Sequence, residues 1–134
     1  MNFEVIERRP TVSEYLALRE SVGWHLLVSE AVSLGLSHSL YAVCIDKNGK
    51  AIGCGRITGD GGLYFYIQDV IIRPEFQRRG FGTQVMKNLM GYIHRTATRG
   101  AFIGLMAAPG LERFYARFGF ERFPDDSPGM PIWK

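Results

Sequence analysis

The run Gln77-Arg78-Arg79-Gly80-Phe81-Gly82 joins cationic residues to glycines at a spacing that suits anion binding. It follows the apolar run Ile67-Gln68-Asp69-Val70-Ile71-Ile72 and opens a segment with helical patterning. Strand, glycine turn and helix in that order make an anion cradle. Without Cβ atoms at Gly80 and Gly82 the backbone can approach a ligand closely, and the first-turn N–H groups point outward beside the positive end of the helix dipole. A phosphate or pyrophosphate fits such a turn, and Arg73, Arg78 and Arg79 stand next to it.

The elements that must position this turn are legible on either side. Phe3 to Glu7 alternates as a first strand, and Thr11-Val12-Ser13-Glu14 has the form of a capping box, with Tyr15, Leu18 and Val22 on one helical stripe that should stop at Gly23. Ser29 to Leu36 reads as a second short helix. Leu40 to Ile45 and Ala51 to Ile57 are strands around Asn48-Gly49, and Thr58-Gly59-Asp60-Gly61-Gly62 turns into a third, Leu63 to Ile72. From Gly80 to about Thr98 the stripe Met86, Leu89, Ile93 and Ala97 predicts the longest helix.

Ala101 to Ala107 is a nearly continuous apolar run after a strand and a helix. A right-handed β-α-β connection places it parallel to the strand ending at Ile72. Pro109 suits the start of another short helix carrying Leu111, Phe114 and Tyr115 and ended by Gly119. Phe120 to Phe123 and Met130 to Trp133 read as two final strands. The fold class is α/β, one mixed sheet in a single domain over residues 1–134.

Two other phosphate-binding readings fail on residues. A dinucleotide fingerprint needs a third glycine where Val85 stands, and a P-loop needs Gly-Lys-Ser/Thr. The signature that does fit is Gln/Arg-x-x-Gly-x-Gly/Ala, followed in order by a long helix, a parallel strand and the segment Phe114-Tyr115-Ala116-Arg117-Phe118-Gly119-Phe120. In this the chain resembles the Gcn5-related N-acetyltransferase (GNAT) superfamily over essentially its whole length. Gly129-Met130 and the strand with Gln68-Asp69-Val70 resemble small bacterial members and plant arylalkylamine-type acetyltransferases.

The resemblance implies a mostly antiparallel sheet, flanked by helices, with a splayed parallel strand pair. It also implies acetyl-coenzyme A as donor and an amine as acceptor. Donor pyrophosphate would lie on Arg78, Arg79, Gly80, Phe81, Gly82 and Thr83, with Gln77 orienting the loop and the pantetheine arm along Ile71 and Ile72. By the same resemblance the backbone N–H of Val70 is the oxyanion donor and Tyr115 the general acid. Some relatives carry a glutamate base at about Tyr66; here Asp69 is the nearest acid, with either a catalytic or substrate-orienting role or that of a structural hydrogen-bond acceptor at a bulge, and Tyr66 or Gln68 could order a water instead. Trp24 would either wall the acceptor pocket or pack in the core, and Glu30, Asp125 and Asp126 could attract a cationic amine, the last two alternatively standing in a solvated loop.

Composition bounds the alternatives. A formal charge of +3, from 16 Lys and Arg against 13 Asp and Glu, is too small to argue for nucleic acid. No run of about 18 apolar residues or basic-then-apolar leader occurs, which makes a cytoplasmic, membrane-free protein the expectation. Cys44 and Cys54 lack metal-ligand spacing, and no metal is expected. With Asn48-Gly49 as a two-residue turn, Cys44 faces Gly53 and Cys54 faces Val43, so the thiols should point to opposite sides. His25, His38 and His94 stand alone. A homodimer is compatible with Phe123, Met130, Ile132 and Trp133 as an apolar edge. Two rival readings keep the cradle: a non-catalytic acyl-CoA-binding module and a protein or peptide acetyltransferase.

Overall fold

The computed structural model describes residues 2–134. Five strands, β1 (Phe3–Ile6), β2 (Tyr41–Lys47), β3 (Lys50–Gly59), β4 (Tyr64–Ile72) and β5 (Phe102–Gly104), lie side by side in chain order. All neighbours are antiparallel except β4 and β5. Helices α1 (Val12–Ser21) and α2 (Ser29–Ser37) precede β2, α3 (Phe81–Thr96) links the parallel pair, and α4 (Glu112–Ala116) follows β5.

Local signals account for most of these boundaries. Thr11 accepts from the Glu14 N–H while the Glu14 side chain accepts from the Thr11 N–H, closing the capping box. Gly23, with φ +77, lies just beyond α1. Asn48 and Gly49 both take positive φ, as a two-residue hairpin turn between right-twisted strands requires.

The sheet buries both faces. On one, Val85, Met86, Leu89 and Ile93 of α3 pack with Val43, Ile45, Ile57, Phe65 and Ile67. Removing a core side chain such as Leu89 would cost about 2–5 kcal/mol. On the other face, Leu18 of α1 packs with Cys44, Cys54 and Ile71, while Tyr15 joins Val32 and Leu36 of α2.

Two bulges reset the side-chain alternation. Between Asp46↔Ala51 and Ile45↔Gly53, β3 carries Ile52 as an extra residue, and this brings Cys44 opposite Cys54. The expectation of thiols on opposite faces is therefore wrong by one register step, because a bulge adds a residue that the turn alone does not reveal. Both cysteines are free and buried. Between Arg56↔Gln68 and Cys54↔Ile71, β4 carries Asp69 and Val70 against Gly55 alone. Phe65 and Ile67 face α3 before this bulge and Ile71 faces α1 after it.

The apolar run from Ala101 to Ala107 is a strand only over Phe102–Gly104, and Pro109-Gly110 forms a turn ahead of α4. The two final strands are absent: Phe120 to Phe123 and Met130 to Trp133 have no regular structure. Alternating apolar residues permit extension, but a strand also needs a ladder partner.

Candidate functional site

The parallel pair comes apart where its pairing stops. Register runs from Tyr64↔Phe102 to Tyr66↔Gly104 and no further, although β4 continues to Ile72. The gap is a cleft of about 180 Å³. Ile67 to Ile72 line one side, Leu105, Met106 and Ala108 the other, and Val22, Trp24, Gln77, Leu111 and Tyr115 close its ends.

The β4 bulge forms part of this lining. Asp69 stands at φ +56, a left-handed conformation uncommon outside glycine but better tolerated by Asp and Asn than by most residues. Neither Asp69 nor Val70 has a register partner on β3, and β5 has already diverged. The Asp69 side chain is buried on the α1 face and fully engaged. Its Oδ2 accepts from Arg56 Nε at 2.7 Å and from the Tyr15 hydroxyl at 2.9 Å, and its Oδ1 lies 3.6 Å from Arg19 Nη1. Burial, with Asp69 next, raises the Tyr15 hydroxyl above its ordinary pKa.

Downstream of β4, a turn at Pro74–Phe76 leads into the glycine loop. Gln77 Nε2 donates to the Ile72 carbonyl at 2.9 Å, which ties the loop to the strand end. Arg78 adopts φ +63 and Gly80 φ +85, reversing the chain into α3. A Cβ at Gly80 would meet no atom, so the demand for glycine there comes from the backbone dihedral. At Gly82 it would reach the Phe114 ring at 3.4 Å, an ordinary contact, so neither a positive φ nor packing demands glycine there.

No side chain caps α3, and its first turn carries no acidic residue. The first hydrogen bond of α3 runs from Gln84 N to Gly80 O, so the N–H groups of Phe81, Gly82 and Thr83 precede the intrahelical ladder. That end is suited to an anion.

Tyr115 is buried beside Phe114, its ring centroid 5.0 Å away, and burial raises its hydroxyl pKa. Trp24 is half-buried at the opposite end, with the Arg19 guanidinium 5.3 Å from its ring centroid. The cleft thus brings together Trp24, Gln68, Asp69, Val70, Ile71, Ile72, Gln77 and Tyr115. Tyr66 lies outside its lining, paired with Thr58 and Gly104, and Arg78 to Thr83 continue beyond Gln77. His94 is exposed on α3, and His25 has its ring 6.0 Å from that of Trp133.

Sequence reasoning missed Tyr15, Arg19 and Arg56 as partners of Asp69. The signal was present: Arg19 follows Tyr15 by one helical turn on a buried stripe, and Arg56 interrupts an apolar strand. Charges set in apolar stretches are expected to find one another.

Residues 37–122 match the sequence model of the Acetyltransferase (GNAT) domain. The uncharacterized N-acetyltransferase ycf52 of Porphyra purpurea is 33% identical over 117 residues, 84% of this chain and 66% of that protein. GCN5-related N-acetyltransferase 1, chloroplastic, of Arabidopsis thaliana is 32% identical over 113 residues, 82% of this chain and 56% of that protein. The chain therefore spans less than two-thirds of the length of these relatives.

Among solved structures, SA2161 of meticillin-resistant Staphylococcus aureus, described as a protein of unknown function and probable acetyltransferase, superposes with a TM-score of 0.94. It is 32% identical, with 99% of this chain and 100% of that one covered. The GNAT family protein SP0256 of Streptococcus pneumoniae TIGR4 gives a TM-score of 0.79 at 26% identity, covering 99% and 98%. With a family match over most of its length and this splayed sheet, the chain belongs to the GNAT acetyltransferase family.

Proposed function

We propose that the protein is an N-acetyltransferase moving the acetyl group of acetyl-coenzyme A to a primary amine of a small molecule, by direct attack in a ternary complex. The observation that carries this reading is one cleft lined by both the β4 bulge and Tyr115, at whose end an uncapped helix begins. Donor pyrophosphate sits on the N–H groups of Phe81, Gly82 and Thr83, with Arg78 and Arg79 adding charge. The pantetheine arm enters the gap along Ile71 and Ile72, where a strand edge is open for want of a β5 partner.

In the transfer, the neutral amine attacks the thioester carbonyl, and the N–C bond forms as the C–S bond breaks. The Val70 N–H receives the developing oxyanion, a contribution of about 3 kcal/mol for a well-aimed donor. Tyr115 gives its hydroxyl proton to the departing thiolate, and the surplus proton on nitrogen leaves to solvent. Burial that raises the phenol also disfavours a free thiolate held in the same cleft, which favours protonating the leaving sulfur.

Asp69 orients the bulge, since its carboxylate already serves two arginines and a tyrosine. Gln68 and Trp24 face the acceptor. Direct transfer is supported by the state of the thiols: burial pushes Cys44 up to about 12 and Cys54 well above its ordinary value, which leaves no thiolate to carry an acetyl group.

The test is thiol release from acetyl-coenzyme A with polyamines, arylalkylamines, amino acids, aminosugars and peptides, alongside calorimetric donor binding. Turnover on a small amine is expected. Tyr115→Phe should lower kcat by roughly 10²–10⁴-fold with donor affinity retained. Donor binding without any turnover would replace this reading with a binding module, turnover on peptides alone would move the acceptor class, and no donor binding would overturn the glycine loop's role.

A further inference from the structure

The Asp69 carboxylate that buttresses the bulge also meets the arginines that hold two other segments: the stretch after α1 that carries Trp24 into the cleft lining, and the end of α2, which lies outside that lining. Arg19 approaches Asp69 through Nη1, while its Nη2 donates to the His25 carbonyl at 3.1 Å and its Nε lies 3.4 Å from the same oxygen. Its own carbonyl accepts from the Trp24 N–H at 3.0 Å, and its guanidinium lies over the Trp24 ring. One residue therefore holds Trp24 and His25 by backbone, fork and face. The following Leu26 is 76% exposed, so little else anchors this stretch from outside.

Arg56 does the same for α2. Its Nε donates to Asp69, and its Nη1 donates to Ser39 Oγ at 3.2 Å and lies 3.4 Å from the Gly35 carbonyl. Both arginines use donors left over from the ion pair on groups outside the sheet, the His25 and Gly35 carbonyls and the Ser39 hydroxyl. A forked, planar cation can do this; an ammonium cannot bind a carboxylate and a distant carbonyl in fixed geometry.

We propose that Arg19 is a positioning residue that fixes the Trp24 wall of the cleft to the β4 bulge through Asp69, the carboxylate it shares with Arg56. The position of the amine and the position of the oxyanion donor are then set from one point, Asp69. The proposal rests on the acetyltransferase reading for its kinetic consequence, while its structural consequence is measurable without turnover.

The test uses the full chain carrying Trp133→Phe, which leaves Trp24 as the only indole. Arg19→Met and Arg19→Lys are compared in that background. Acrylamide quenching of Trp24 should rise about threefold in both, because lysine keeps a charge near Asp69 but lacks the fork for His25. Binding of coenzyme A, measured by calorimetry, should stay within about twofold, and the acceptor KM should rise about tenfold or more with a smaller change in kcat. If Arg19→Met fails to fold, Arg19→Lys carries the comparison. Unchanged quenching in a folded variant would overturn the proposal, as would a parallel loss of coenzyme A affinity. Should no amine be acetylated by the parent protein, the acetyltransferase reading fails on its own, and quenching still decides the role of Arg19.

Discussion

Two buried charge clusters sit on the same face of the sheet with opposite stoichiometry. In the first, Arg8 lies between Glu14 and Asp46, with fork bonds of 2.9 and 3.0 Å to one and 2.9 and 3.2 Å to the other. In the second, Asp69 lies between Arg56 at 2.7 Å and Arg19 at 3.6 Å. One cation against two anions leaves the first negative; one anion against two cations leaves the second positive. Apart from one bond from Arg8 Nη1 to the adjacent Arg9 carbonyl, the first spends its donors within the cluster and, through Glu14, receives the Thr11 and Ala51 N–H groups. The second exports its donors to His25, beside the Trp24 that lines the cleft, and to Gly35 and Ser39 at the end of α2. Closed geometry fastens the scaffold, whereas open geometry with surplus positive charge stands beside the bulge where negative charge would develop.

The largest separation between the clusters should come from Asp69→Asn. Asparagine tolerates the left-handed backbone and can still accept from Tyr15, so the change removes the charge between two guanidinium groups with little change of shape. We expect kcat to fall by roughly 10²-fold, near the value of one oxyanion donor, with stability lowered by about 3 kcal/mol. Retained kcat would show that the bulge holds its form without the carboxylate charge.

Glu14→Gln should do the reverse. It removes one charge from the closed cluster and leaves a single acceptor oxygen, so only one of the Thr11 and Ala51 N–H groups, which use different carboxylate oxygens, keeps its partner. Urea unfolding should show a loss of about 2 kcal/mol, as for a charged hydrogen-bonded group, with kcat and donor affinity within about twofold of the parent. A drop in turnover as large as that of Asp69→Asn would erase the distinction between fastening and positioning.

The clusters also mark what could be read before folding. Glu14 was legible because a capping box is a local pattern, and the glycine loop because φ at Gly80 and the bare first turn are local demands. The parallel pairing followed from the order of strand, helix and strand, and its splaying from the family resemblance. Bulges were harder. Ile52 sits in an apolar run that reads equally well with or without an extra residue, and one step there exchanged the partner of Cys44. Asp69 was recognised as an acid near the site, but its role depends on Tyr15, Arg19 and Arg56, which are separated from it by 54, 50 and 13 positions in the chain. Charge complementarity across such distances is set by packing. The C-terminal segment failed for a related reason: alternation names a face to bury and says nothing about which edge will accept the strand.

Acid sharpens the comparison with the smallest expected effect. Arg8, as the largest influence, followed by the Thr11 and Ala51 N–H groups, holds Glu14 down at about 2 from an ordinary value of 4.5, against the opposing cost of burial. A carboxyl with a lower pKa folded than unfolded adds stability that is complete above about pH 4.5 and disappears as pH falls through about 2. The stability gap between the parent and Glu14→Gln should therefore be constant at pH 6 to 5, narrow below 4.5, and approach zero near 2. Repeating the pair in an Arg8→Met background should flatten that pH dependence, since the guanidinium that depresses the carboxyl is gone. Urea midpoints across this range provide the check: a gap that stays constant into acid would mean that Glu14 acts through shape alone, and one that narrows equally without Arg8 would assign the depression to the backbone donors.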